Sequence, residues 1–197
     1  MKGESFGAII LASGLSSRFE NGNKLLSLLD KTPLAQHVAA RVQQLDLRAV
    51  VAVVPADEPD LQSLFQSMAI VTVSNSEPAR GQGHSIALGA AALADADLEG
   101  LFVLLADMPF VSTAHLFDMI DLLPGQEAVV SQVSDRAQPP VLFAKSVFEQ
   151  LAPLTGDRGG GDLIAGLDAV ASVNLSPDDA LDIDTVEALQ LASKRFT

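Results

Sequence analysis

The sequence predicts an α/β protein built on a mostly parallel sheet covered by helices on both faces. Short apolar runs with strand character alternate with stretches of helical periodicity through most of the chain. With 197 residues, 48% of them hydrophobic, the chain is long enough for one full α/β core and too short for two ordinary domains. Residues 1–197 are therefore expected to form a single domain. Nothing in the sequence has the composition of a linker, a repeat or a low-complexity tract.

The first apolar run, Gly7 to Leu11, reads as a strand that opens into a loop of small residues. A helix is expected from about Pro33 to Leu45, a strand over Ala49 to Val54 and a helix around Leu61 to Met68. Ile70 to Val73 is the next strand, His84 to Ala94 the next helix, and Leu101 to Leu105 a buried strand halted by Pro109. Beyond Asp107 the pattern is less regular. Thr113 to Leu123 reads as a helix, Glu127 to Ser131 and Val141 to Ala144 as strands, and Gly156 to Gly161 as a glycine-rich segment. A last strand near Ala180 to Ile183 is expected to lead into a helix from Thr185 to Ser193.

Composition excludes several chemistries. The chain has no Cys, which removes disulfides, thiolate catalysis and Cys-ligated metal centres and suits a reducing, cytoplasmic setting. No apolar run approaches a membrane span, and the first residues lack a signal-peptide core. Lys and Arg total 12 against 25 Asp and Glu, a net charge of −13 that disfavours nucleic acid and anionic membranes as partners. An anionic substrate must then find a local basic pocket.

The loop after the first strand, Ala12-Ser13-Gly14-Leu15-Ser16-Ser17-Arg18, with Lys24 six residues on, offers one. Small residues let backbone N–H groups approach phosphate oxygens, and the two cations neutralise the remaining charge. It is not a P-loop, because the G-x-x-x-x-G-K-[ST] spacing is absent, and no G-x-G-x-x-G follows the strand. In open α/β sheets the ligand lies beyond the carboxyl ends of the strands. That rule brings Ser13 to Lys24, Asn75 to Ser85, Asp107 and the Asp182/Asp184 region toward one cleft.

Asp107 ends a buried strand, a position where Asp commonly forms a turn or caps a helix. Ser112 or Thr113 is better placed to cap the following helix, which frees Asp107 to hold Mg²⁺ on a nucleotide phosphate. Asp182 and Asp184, two residues apart on a strand, share a face while Ile183 enters the core. Asp184 then either reaches the metal or, like Thr185, caps the last helix. In Arg80-Gly81-Gln82-Gly83-His84-Ser85, the glycines permit close backbone approach to a base or a phosphate. Ser85 also suits a plain helix start, and His84 receives no catalytic role. Thr155 to Asp162 is either an anion-binding loop or a mobile connection.

Taken in order, LASGLSSRFENGNKLL, GQGHSIALGAA, LLADMP, PPVLF, TGDRGG and LDIDTVEAL, from about Gly7 to Leu189, resemble the molybdenum cofactor cytidylyltransferase family. That family lies within the wider group of molybdopterin and sugar-phosphate nucleotidyltransferases. The resemblance implies a Rossmann-like three-layer α/β/α nucleotidyltransferase fold. It implies a Mg²⁺-dependent enzyme that moves CMP from CTP onto the terminal phosphate of a molybdopterin-type acceptor, with a molybdoenzyme or its chaperone as a partner. Carried across, Leu11, Ala12, Ser13 and Gly14 contact the nucleotide, Arg18 and Lys24 its phosphates, and Asp107 the Mg²⁺. Asp184 matches the Asp or Asn ending the family's last strand, and Asn75 a position near the nucleotide; Gly81 and Ser85 complete the nucleotide-binding set. Where the family commonly has G-H-P before V-L-F, this chain has Gln138-Pro139-Pro140. The competing readings are a sugar-1-phosphate nucleotidyltransferase, guanylyl transfer to molybdenum cofactor, and a non-catalytic carrier of the cofactor.

Overall fold

Along the central strand β1 (Phe6–Leu11), successive side chains enter opposite layers. Ala8 and Ile10 join one apolar cluster and Ile9 and Leu11 another, the period-two geometry of an extended chain. The computed structural model describes residues 3–14 and 22–196. After β1 come a 3₁₀ turn at Lys24–Leu26, a short hairpin of β2 (Leu28–Leu29) and β3 (Thr32–Pro33), and α1 (Leu34–Gln43). The chain continues through β4 (Ala49–Pro55), α2 (Pro59–Ser67), β5 (Val71–Asn75), α3 (Gln82–Ala92), β6 (Gly100–Leu105) and α4 (Thr113–Leu122). It ends with β7 (Ala128–Val133), β8 (Arg136–Ala144), α5 (Phe148–Leu151), α6 (Gly159–Ala165), β9 (Val170–Asn174) and α7 (Val186–Ser193).

Among the described residues the main sheet has seven strands in the order β5-β4-β1-β6-β8-β7-β9. The pairs β5/β4, β4/β1, β1/β6 and β7/β9 are parallel, and β8 is antiparallel to both its neighbours. Helices α1, α2 and α4 bury Leu34, Val38, Leu61, Phe65, Leu116 and Met119 against one face. On the other face, Ile86 of α3 and Leu151 of α5 pack over Val53, Val103, Val141 and Phe143. This is the mostly parallel, doubly covered α/β sheet that the alternation of elements predicts. No helix among the described residues is long and apolar enough to cross a membrane.

The differences lie in the second half. No strand forms over Ala180 to Ile183: Ala180 lies in a turn, and the segment meets the chain just past the end of β6, where the Ile183 N–H donates to Asp107 C=O at 3.0 Å. The edge position belongs instead to β9, whose Val-Ala-Ser-Val-Asn sequence is half exposed and only weakly apolar, which is why it does not announce itself. The glycine-rich segment is not wholly a loop, since α6 begins at Gly159. Strand β8 starts at Arg136, earlier than its apolar residues suggest, because backbone pairing with β7 continues past a bulge at Val130/Ser131.

Candidate active site

Parallel neighbours end side by side, and this register positions the site. Leu11 lies opposite both Val53 and Leu105. The Ala12 N–H donates to Val53 C=O at 2.9 Å and the Ala106 N–H to Leu11 C=O at 3.0 Å, so Ala12 to Gly14 and Asp107 leave the sheet next to one another. They open on a cleft of about 250 Å³ at the carboxyl edge, the expected ligand position in such a sheet.

Lys24 reaches this edge from the 3₁₀ turn. Asn23 caps that turn, its Oδ1 accepting from Leu25 N–H at 2.9 Å, and buried Leu25 anchors it in the core. The Lys24 ammonium donates to Asp107 Oδ2 and to Asp184 Oδ1, each at 2.6 Å, with its own side chain 10% exposed. Burial works against the charged ammonium, but the carboxylates of Asp107 and Asp184 outweigh it and raise its pKa above the ordinary lysine value. Partial desolvation, then the charges of Asp184 and Asp107, push the neighbouring Asp182 carboxyl up.

The helix caps resolve two open questions from the sequence. Ser112 caps α4, its Oγ accepting from His115 N–H at 3.1 Å, and Thr185 caps α7 through Ala188 N–H at 3.1 Å. Ser112 and Thr185 thus do the capping, and Asp107 and Asp184 each accept from Lys24. Asp107 Oδ1 is buried and accepts no hydrogen bond from the described residues. No group of three or more metal-ligating side chains occurs among the described residues. A cation here would be held by these two carboxylates, with phosphate oxygens and water completing its shell; that donor set and the unsatisfied oxygen fit Mg²⁺.

Of the residues predicted for the site, Leu11, Ala12, Ser13, Gly14, Lys24, Gly81, Ser85 and Asp107 line the cleft. Asp184 joins through Lys24. Asn75 stands behind the wall: its Nδ2 donates to Ser85 Oγ at 3.2 Å, and Ser85 Oγ lies 2.7 Å from Ser13 Oγ. This buried chain ties the ends of β1 and β5 to the first turn of α3. Arg18 lies outside the described residues. Gln82 and Asp157 also line the cleft; the sequence assigns neither a role of its own, although both lie in segments it singles out, Arg80 to Ser85 and Thr155 to Asp162.

The glycines at 81 and 83 have a nearer neighbour than any nucleotide. A Cβ on Gly81 would lie 2.4 Å from the Gly156 carbonyl carbon, and one on Gly83 2.8 Å from the Thr155 carbonyl oxygen. Gly83 N–H donates to Gly156 C=O at 2.8 Å and Gly156 N–H to Arg80 C=O at 2.9 Å, so the two loops are locked together. Gly81 also sits at φ +88°, ψ 177°, a region open essentially to glycine alone. Gly81→Ala is expected to destabilise by about 3 kcal/mol, from backbone strain and overpacking together, lowering Tm by roughly 10 °C. Thermal unfolding followed by circular dichroism checks this; an unchanged Tm would contradict the close approach.

A model of the MobA-like NTP transferase domain matches residues 8–171. The chain belongs to that family. This MobA-like domain is accordingly a nucleotidyltransferase, with a nucleoside triphosphate as substrate. It is 27% identical over 187 residues to the purine catabolism protein PucB of Bacillus subtilis (strain 168), covering 95% of this chain and 80% of that protein. In structure it is similar to Rv0371c from Mycobacterium tuberculosis H37Rv, with a TM-score of 0.83, 22% identity and coverage of 97% and 98% of the two chains. A manganese complex of Rv0371c superposes with a TM-score of 0.81 at 21% identity over 96% and 98% of the chains. Molybdopterin-guanine dinucleotide biosynthesis protein A from Archaeoglobus fulgidus gives 0.72, at 19% identity over 96% and 98%. At these identities the structural likenesses establish the α/β nucleotidyltransferase fold of the MobA-like domain.

Proposed function

We propose that residues 1–197 act as one nucleotidyltransferase domain that moves CMP from CTP to the terminal phosphate of a molybdopterin-type acceptor, releasing pyrophosphate. The observation that carries the reading is the convergence of Lys24, Asp107 and Asp184 beside the small-residue loop Leu11 to Gly14. A phosphate acceptor is already nucleophilic, so the site needs position and charge rather than a side-chain nucleophile. An acceptor phosphate oxygen attacks the α-phosphorus in line; the bond to the bridging oxygen breaks, and pyrophosphate leaves with its electron pair.

In this reading the backbone of Ala12 to Gly14 and the Ser13–Ser85 hydroxyl pair hold the nucleotide, with Gly81 at its side and Asn75 fixing Ser85. Lys24 stabilises the charge that develops at the α-phosphoryl group, and Arg18 binds the leaving pyrophosphate. Asp107 and Asp184 would hold Mg²⁺, which would supply positive charge to offset that of the triphosphate and polarise its oxygens. The manganese complex of Rv0371c supports a divalent cation here. The name of the Archaeoglobus protein supports a molybdopterin acceptor, and it also makes GTP the competing donor. A molybdoenzyme or its chaperone would receive the product.

Pyrophosphate release with CTP, GTP, ATP and UTP, each offered molybdopterin-type and sugar-1-phosphate acceptors, tests the reading. A higher kcat/KM for CTP than for GTP is expected, because a site that hydrogen-bonds one base edge leaves buried groups unpaired with another. Preference for GTP would make this a guanylyltransferase. Transfer only to sugar phosphates would remove the pterin assignment.

A further inference from the structure

The transfer reading leaves one bridging cation without a role. Arg195 lies in a 3₁₀ turn, Lys194–Phe196, that follows α7, and its guanidinium meets two segments far from it in the chain. One nitrogen donates to Asp178 C=O at 2.8 Å, another stands 3.4 Å from Asp178 Oδ2, and the guanidinium carbon lies 4.3 Å from the centre of the Phe110 ring. Asp178 is met by the fork of the guanidinium and Phe110 by its flat face, neither of which an ammonium has.

Those two partners flank the carboxylates of the site. Phe110 stands three residues past Asp107, with Pro109 stiffening the link, and Asp178 stands six residues before Asp184. Arg195 therefore joins the segment that carries one carboxylate to the segment that carries the other. Two further ties do the same: the Ile183 N–H donating to Asp107 C=O, and the Lys24 ammonium shared by Asp107 and Asp184. In the transfer reading Lys24 serves the α-phosphoryl group, so the carboxylates give up that shared tie when the site works. The Ile183 bond and the Arg195 brace remain. The brace adds little to global stability, since the Asp178 side chain is 86% exposed and such ion pairs contribute little. Its leverage is local.

We infer that Arg195 is a positioning residue for nucleotidyl transfer: by clamping Asp178 to Phe110 it sets where Asp184 stands relative to Asp107, and with it their affinity for a divalent cation. The inference rests on the reading of these two carboxylates as cation ligands. Residues that support metal ligands from behind commonly govern affinity by about tenfold or more. The sign of the effect separates the clamp from plain electrostatics. Removing a positive charge near the site would by charge alone tighten a divalent cation, whereas losing the clamp weakens it. The probe is Mn²⁺ alone, its binding followed by EPR in a Lys24→Ala background, where no ammonium competes for the carboxylates. Adding Arg195→Ala should weaken Mn²⁺ binding about tenfold. Adding Lys145→Ala instead, which breaks an exposed pair with Asp97 at the amino end of β6, should change it less than about twofold. Phe110→Leu on top of Arg195→Ala should cost little more, because the clamp is already gone. With Lys24 intact and no metal present, Arg195→Ala should speed exchange of the Ile183 amide about tenfold while lowering Tm by about 3 °C or less.

Mn²⁺ held as tightly or more tightly after Arg195→Ala would overturn the inference, and so would an unchanged Ile183 exchange rate. Additive losses from Arg195→Ala and Phe110→Leu would show that the two residues act separately and would overturn the clamp. If Lys24→Ala fails to fold, the exchange measurement in the otherwise unaltered chain decides the matter. The underlying reading fails separately: Mn²⁺ binding indifferent to Asp107→Asn would show that the carboxylates are not the cation's ligands, whereas binding that depends on Asp107 and not on Arg195 would refute the clamp alone.

Discussion

Asp107→Asn folds as wild type does and loses nucleotidyl transfer by a hundredfold or more, on the order expected when a metal-holding charge is removed. The fold survives because Asp107 serves it through its backbone: its carbonyl accepts from Ile183 N–H, and its side chain caps nothing. An amide has nearly the same shape, and Lys24 keeps its second carboxylate at Asp184. What disappears is the negative charge and the unsatisfied Oδ1 that a divalent cation would engage. Pyrophosphate release at saturating Mg²⁺ measures the effect. Activity within a few-fold of wild type in the folded variant would reduce Asp107 to a turn residue.

Lys24→Ala has the second large effect and acts on two observables. Turnover should fall by about a hundredfold or more, with a smaller change in nucleotide affinity, because the contact proposed for Lys24 develops with charge in the transition state. Arg18→Ala, by contrast, should weaken nucleotide binding as well. The free protein should also change. Without the ammonium, Asp107 and Asp184 lose the cation they share, and leaving one partner of a part-buried ion pair behind is destabilising. The Tm of Lys24→Ala should therefore drop and recover when Mg²⁺ or Mn²⁺ is added without nucleotide, through preferential binding to the folded state. Wild type, whose two carboxylates already share the Lys24 ammonium, should respond far less. Equal responses in the two proteins would show that lysine and cation do not compete for the same oxygens.

The parallel half of the sheet is legible in the sequence because its strands are continuous apolar runs between helical stretches, as in Phe6–Leu11 and Gly100–Leu105. The carboxyl-edge rule then carries Ser13, Lys24, Ser85 and Asp107 to one cleft. Strand β9 is not legible, since an edge strand needs only one buried face and Val170–Asn174 has little apolar pattern. Nor is the pairing of Lys24 with both carboxylates, because spacing along a chain places side chains near one another without deciding which charge answers which. The reason for glycine at 81 is likewise hidden: its constraint comes from Gly156, in a distant loop.

The bond from Ile183 to Asp107 also bears on when the site comes into being. Its charged trio draws on three widely spaced stretches of chain, with Lys24 and Asp184 separated by 160 positions. The segment carrying Asp184 belongs to no ladder among the described residues and is held by buried Ile183, by the bond from its N–H to the Asp107 carbonyl and by the Lys24–Asp184 pair. A partly folded or nicked protein can thus hold its parallel core and still lack the complete trio. Local opening of such a segment is expected at lower free energy than global unfolding. Exchange of the Ile183 amide proton would therefore report active-site assembly separately from the integrity of the sheet, and proteolytic loss of the last helix would silence the enzyme before it unfolds it.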